Sequence, residues 1–204
     1  MQLADWVRRE GHVLSDEFLR VDGFLNHRIA PDFIEEAGRQ AADRFADVGV
    51  TLVLTAEAAG NVVAYEIARQ LDARAVYAKK GKAATMVRPI VRSLRSPTKG
   101  TVTELAVSLD YLQAGERVLI VDDFLYRGTT SAALAEMAIE AGATLVGFAF
   151  LIEKGFAGGR RALSEFDVPI ESLLCVERMD PVAGTITFAG GSGPVPVDGE
   201  RDGR

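Results

Sequence analysis

The stretch Val118-Leu-Ile-Val-Asp-Asp-Phe-Leu-Tyr-Arg-Gly-Thr-Thr-Ser131 carries the densest chemistry in the chain. Four apolar residues predict a buried strand, Asp122 and Asp123 stand at its C-terminal end, and a turn with Gly128 and three hydroxyl residues opens a helix. In an open parallel sheet ligands bind at that strand edge, and free amides at a helix start attract a phosphate. Gly128 permits close backbone approach, while Thr129, Thr130 and Ser131 add hydroxyl donors. The combination suits a phosphorylated sugar. Each part alone also has an ordinary structural reading: a solvated strand end for the carboxylates, a helix cap for Gly-Thr-Thr-Ser. The segment lacks the Gly-Lys-Thr of a Walker loop, and no convincing protein nucleophile accompanies it.

The elements that must hold this segment alternate along the chain. After a short amphipathic opening (Leu3, Trp6, Val7), a helix is predicted over Pro31 to Val48, with Pro31 in its first turn and Ile34, Ala37, Ala41 and Phe45 at helical spacing. Strands are predicted over Val50 to Thr55, Ala73 to Ala78, Arg117 to Asp122 and Ala143 to Glu153, and helices over Asn61 to Leu71 and Thr130 to Ala141. Strand, helix, strand in succession implies right-handed crossovers and a mostly parallel sheet flanked by helices. Two segments break the pattern. Lys79 to Lys99 is basic and weakly periodic, followed by the strand-like Thr101 to Ser108, and reads as an excursion, a hairpin with a mobile tip. Residues 190–204 are rich in Gly and charge and read as a flexible tail behind a single domain over 1–189.

At 204 residues, 48% of them hydrophobic, the chain is long enough for one domain with a sizeable core. Twenty-nine acidic against 23 basic residues give a formal net charge of −6, which disfavours nucleic acid as a partner. The longest strongly apolar run, Leu145 to Ile152, falls far short of a bilayer span, and Met1 to Gly11 has no signal-peptide character, so a cytoplasmic protein away from the membrane is expected. One cysteine, Cys175, and two histidines, His12 and His27, assemble neither a disulfide nor a zinc cluster.

In order and context, the strand, acidic pair, two apolar residues and loop ending in Gly and Thr resemble the fingerprint of type I phosphoribosyltransferases. The resemblance implies that Asp122 and Asp123 meet the ribose hydroxyls of phosphoribosyl pyrophosphate (PRPP), that Tyr126, Arg127, Gly128, Thr129 and Thr130 hold its 5-phosphate, and that magnesium accompanies the pyrophosphate through substrate oxygens and water, with no metal site of the protein's own. From about Leu3 to Phe188 the chain is similar to the bacterial xanthine phosphoribosyltransferases. Val13-Leu-Ser-Asp16, Leu19, Val21-Asp22 and Phe24-Leu-Asn-His27 match a base-binding hood over residues 1–30, in which Leu19 packs on the purine and Asn26 contacts it. Glu57-Ala58-Ala59-Gly60 stands at the pyrophosphate loop, and Lys154, in Ile152-Glu-Lys154, at a base-binding lysine. Thr98-Lys99, with Thr101 and Ala106-Val-Ser108 behind it, resembles a flexible catalytic loop in which Lys99 is the catalytic candidate.

The chain departs from that subgroup in Tyr126-Arg127, where small residues with Asn and Gln are common, and in Ala58-Ala59, where Ser-Ser is usual. The implied activity is purine salvage: xanthine plus PRPP to xanthosine monophosphate and pyrophosphate, by a homodimer. Another purine base (guanine, hypoxanthine or adenine) is the alternative. A PRPP-sensing repressor resembles the same family, but the thirty or so residues before Pro31 are too few for its DNA-binding domain.

Overall fold

The computed structural model describes residues 2–81, 84–95, 102–191 and 193–197. Helix α1 (Leu3–Glu10) buries Leu3 and Val7, and the short strands β1 (His12–Val13) and β2 (Leu19–Arg20) pair antiparallel. A wide helical turn over Asp22–Asn26 buries Phe24 and Leu25. The rings of Trp6, Phe24 and Phe33 meet with centroids 4.9 to 5.9 Å apart and tie this N-terminal hood to the first residues of α2 (Pro31–Asp43). Helix α2 stops short of the expected Val48: a separate tight turn over Ala46–Val48 follows, closed by Gly49 at φ +70°.

The alternation then runs as expected through β3 (Leu52–Ala56), α3 (Gly60–Gln70), β4 (Arg74–Lys80), β5 (Pro89–Arg95), β6 (Val102–Ser108), β7 (Arg117–Leu125), α4 (Thr129–Glu140) and β8 (Thr144–Lys154). A short helix α5 (Gly159–Leu163) and the strands β9 (Ile170–Asp180), β10 (Thr185–Phe188) and β11 (Val195–Pro196) complete the fold. Among the described residues the main sheet has nine strands in the order β11-β10-β9-β8-β7-β3-β4-β6-β5. Its centre, β9 to β4, is parallel, and both edges are antiparallel, so the sheet is mixed rather than parallel throughout. Burial on two faces explains the unbroken apolar runs of the central strands. Val53, Leu119 and Val121 face α2 and α3, whereas Leu52, Leu54, Val118 and Ile120 face α4.

Further boundaries differ from the sequence reading. Lys79 and Lys80 belong to β4, where they pair with Ala106 and Leu105, so the excursion begins after them. It contains the expected antiparallel hairpin, β5 with β6, and Ala106, Val107 and Ser108 are buried in the expected return strand. The segment 190–204 is not tail throughout: Val195 and Pro196 pair with Ile186 and Thr185 at the sheet edge. Thr98, Lys99 and Thr101 lie outside the described residues.

Candidate functional site

The C-terminal ends of β3, β7 and β8 converge on two cavities that share Asp122, Thr129 and Thr130 as a common wall. Strand β7 continues past the carboxylates, pairing Phe124 with Ile152 and Leu125 with Glu153 of β8. Strand alternation therefore puts Asp122, Phe124 and Tyr126 on one face, and all three line the larger cavity, of about 540 Å³. Leu19, Asn26, Lys154 and the loop Tyr126 to Thr130 complete it, so the expected base-binding and phosphate-loop residues come together. The turn is built by Gly128 at φ +75°, immediately before α4. A side chain there would be strained and would press on the Gly159 carbonyl and on Leu163.

Among the described residues, Lys154 and Arg127 are the two cations on the wall of the larger cavity. Lys154 Nζ donates to the Glu17 carbonyl at 2.5 Å and stands 5.1 Å from the Tyr126 ring centroid, 5.2 Å from Phe124 and 5.6 Å from Phe18. Burial in this aromatic cage lowers its pKa from the ordinary lysine value, against the opposing pull of Glu17 and Asp123. Arg127 covers the Tyr126 ring from 5.3 Å and is exposed, available to an anion at the loop. Asn26 bridges the hood to the sheet, Nδ2 donating to Asp123 Oδ2 at 3.4 Å.

The second cavity, of about 430 Å³, lies between the acidic pair and the β5–β6 hairpin, with Glu57, Ala58, Ala59 and Lys80 on its wall. The Glu57–Ala58 peptide bond is cis. Glu57 is fixed by the backbone N–H of Lys80, which donates to Oε1 at 2.6 Å. Gly60 opens α3 against the acidic pair; a Cβ there would run into Thr55 Oγ1 and lie 3.0 Å from Asp122 Oδ1. Thr55 is fully buried, and its hydroxyl has no hydrogen-bond partner among the described residues. Burial pushes the Asp122 carboxyl well above the ordinary carboxylate range, and the charge of Asp123 adds to the effect. A half-buried carboxylate pair with unspent acceptor capacity, across a cavity from the Glu57 to Gly60 turn and Lys80, is arranged to meet hydroxyls beside an anion.

Residues 27–168 match the phosphoribosyl transferase domain. This chain belongs to the phosphoribosyltransferase family. Its relatives include the xanthine phosphoribosyltransferase of Heliobacterium modesticaldum, 42% identical over 188 residues covering 92% of this chain and 99% of that protein. That of Chloroflexus aurantiacus is 42% identical over 201 residues, 98% of this chain and 93% of that protein. Among solved structures, the adenine phosphoribosyltransferase of Rhodothermus marinus has a TM-score of 0.66 at 26% identity, covering 78% of this chain and 86% of that one. The Giardia lamblia enzyme has a TM-score of 0.70 at 18% identity, covering 86% and 98%, and shows the shared fold alone. The fold is the type I phosphoribosyltransferase fold, and the protein is a pentosyltransferase.

Among the residues of this phosphoribosyltransferase site that sequence reasoning did not assign are Glu17, Phe18, Thr55 and Phe124. Phe124 and its place beside Tyr126 follow from the alternation that begins at Asp122, a signal present in the quoted stretch. Thr55, which ends the strand before the Glu57 loop, meets Gly60 locally, and Lys80 belongs to the basic run already singled out; Phe18 had no signal, because it reaches Lys154 only across segments distant in sequence.

Proposed function

We propose that the protein transfers the phosphoribosyl group of PRPP to xanthine, giving xanthosine monophosphate and pyrophosphate in purine salvage. The observation that carries this reading is the single wall of Asp122, Thr129 and Thr130 between a cavity holding Lys154 and one holding the Glu57 to Ala59 loop. A ribosyl centre at that wall has the base on one side and pyrophosphate on the other. The base nitrogen forms its bond to the anomeric carbon as the bond from that carbon to pyrophosphate breaks. The electron pair leaves with pyrophosphate, and the ring proton of the base passes to water or to the leaving group. Asp122 and Asp123 stabilise the positive charge that develops on the ribosyl ring, and the loop Tyr126 to Thr130, with Arg127, fixes the 5-phosphate.

Lys154 donates to the purine 6-oxygen, Leu19 packs on the ring and Asn26 addresses the 2-position. An ammonium has donors and no acceptor, so the exocyclic amine of adenine is poorly met. Magnesium brought in with PRPP would be held mainly through pyrophosphate oxygens and water and would offset charge on the leaving group, with Asp122 and Asp123 left to the ribose hydroxyls. The resemblance makes Lys99, which lies outside the described residues, the remaining catalytic candidate. Among the described residues no helix is long and apolar enough to cross a membrane, and the family resemblance supports a cytoplasmic homodimer. A panel of xanthine, guanine, hypoxanthine and adenine, each incubated with PRPP and magnesium and followed by chromatography of the nucleotide, tests the reading. Xanthosine monophosphate as the dominant product is expected; failure to use xanthine overturns it.

A further inference from the structure

The residue before the base lysine faces the opposite side of β8. Strand alternation turns Glu153 into the interior, where it is 4% exposed. Its carboxylate holds Arg160 of α5 in a fork, Nε donating to Oε1 at 3.0 Å and Nη2 to Oε2 at 2.6 Å. Nη1 of Arg160 donates to the Ile170 carbonyl at 2.7 Å, which locks the same guanidinium to the start of β9. Burial alone raises the Glu153 carboxyl; Arg160 and the Ser172 hydroxyl overcome this and hold it below its ordinary value. A buried carboxylate paired with a guanidinium that is 48% exposed is a poor source of net stability, since apolar residues of similar volume fill such a space as well or better. What the fork does supply is geometry.

That geometry reaches the phosphate loop. Gly159, the first residue of α5, packs so closely on the Tyr126 carbonyl that a Cβ there would collide with it, and would stand 2.7 Å from Leu125 Cδ1. From the other side, the space beyond Gly128 is closed by the Gly159 carbonyl and Leu163. The back of the loop Tyr126 to Gly128 therefore rests on α5, and α5 is pinned to the residue adjoining Lys154.

We propose that the Glu153–Arg160 pair is a positioning brace: by seating α5 against the back of the phosphate loop, it sets the distance between that loop and Lys154, and so the register of PRPP against the base. The proposal rests on the reading of Lys154 and the loop given above.

Calorimetric binding of PRPP with magnesium, and separate steady-state titrations of xanthine, test it on the full-length protein. Arg160→Ala is expected to weaken PRPP binding and raise the KM for xanthine, each about tenfold, with a smaller change in kcat. Arg160→Lys, which keeps the charge and loses the fork, is expected to recover only part of both. Gly159→Ala leaves the ion pair intact and pushes α5 off the loop, and is expected to weaken PRPP binding more than it raises the KM for xanthine. A folded Arg160→Ala protein with PRPP binding and xanthine KM both within about twofold of the parent overturns the proposal, as does a loss confined to kcat. Should Arg160→Ala fail to fold, Gly159→Ala decides: unchanged PRPP binding there overturns the brace, and weakened binding supports it. Because PRPP binding is read without a base, a parent protein that binds PRPP but does not use xanthine refutes the proposed function and leaves this test standing.

Discussion

Lys154 Nζ donates to the backbone carbonyl of Glu17 at 2.5 Å, joining the end of β8 to a hood segment 137 residues away in sequence. An ammonium has three donors, so this bond leaves two, which the proposed function assigns to the purine 6-oxygen. Lys154→Ala is expected to lower kcat/KM for xanthine and guanine by about 10- to 100-fold, the worth of a hydrogen bond to a charged group, while the negligible rate with adenine barely moves. Initial-rate measurements with the three bases check this; efficient use of adenine by the unaltered protein shows that Lys154 does not face the 6-position.

The acidic pair sets a conflict between function and stability. Burial, reinforced by Asp123, raises the Asp122 pKa in the folded state above its ordinary value of 3.8. Between 3.8 and the raised value the folded protein binds more protons than the unfolded chain, so Asp122 makes stability fall as pH rises through that window. Asp122→Asn removes the fall. The variant is expected to melt a few degrees above the parent at neutral pH, with the gap closing as the pH approaches 3.8. Thermal melts across pH measure it, and an unchanged gap throughout the range excludes the linkage. Changing both Asp122 and Asp123 to Asn is expected to lower turnover by orders of magnitude with the fold kept.

Much of this arrangement is legible in the chain. The run Val118 to Ser131 displays strand, carboxylates, turn and helix in contiguous order, because a β-strand, its following turn and the next helix are local features whose periodicity and Gly128 punctuation need no distant partner. The antiparallel edges are another matter. Strand β9 has no regular apolar alternation, with Glu177 and Arg178 adjacent, β10 alternates over only four residues, and their pairing depends on what the central strands already present. The cage around Lys154 is invisible for the same reason: Phe18 is a lone aromatic in a polar segment until β1 and β2 fold it over β8. Lys79 and Lys80 resemble the basic hairpin that follows them by composition, and only register with Ala106 and Leu105 assigns them to the sheet.

Gly60 gives a steric test of the pyrophosphate side. Its missing side chain makes room for Thr55 Oγ1 and Asp122 Oδ1, both of which a methyl group would displace. Gly60→Ala is expected to weaken PRPP binding by about tenfold, because the shift falls on a carboxylate at the ribosyl wall, while the KM for the base changes little. Calorimetry with PRPP and magnesium checks it; binding as tight as the parent's means that Asp122 does not meet the sugar.

Under the proposed function, the way Asn26 is held sets discrimination at the purine 2-position. Its Nδ2 donates one hydrogen to Asp123 Oδ2 at 3.4 Å, which leaves the second hydrogen for an acceptor on the base. The 2-oxygen of xanthine is such an acceptor. The 2-amine of guanine needs the amide oxygen instead, and turning the amide over sets that oxygen against the Asp123 carboxylate. Hypoxanthine offers the site nothing at this position and leaves its polar atoms unpaired. The expected order of kcat/KM is xanthine, guanine, hypoxanthine, adenine. Asn26→Ala is expected to shrink the preference for xanthine over hypoxanthine by about 10-fold or more. Asp123→Asn, whose amide can donate to a turned Asn26, is expected to narrow the ratio of xanthine to guanine even as both rates fall. Competition between the two bases in one reaction mixture reads that ratio directly, and a ratio unchanged in Asp123→Asn shows that Asp123 does not orient Asn26.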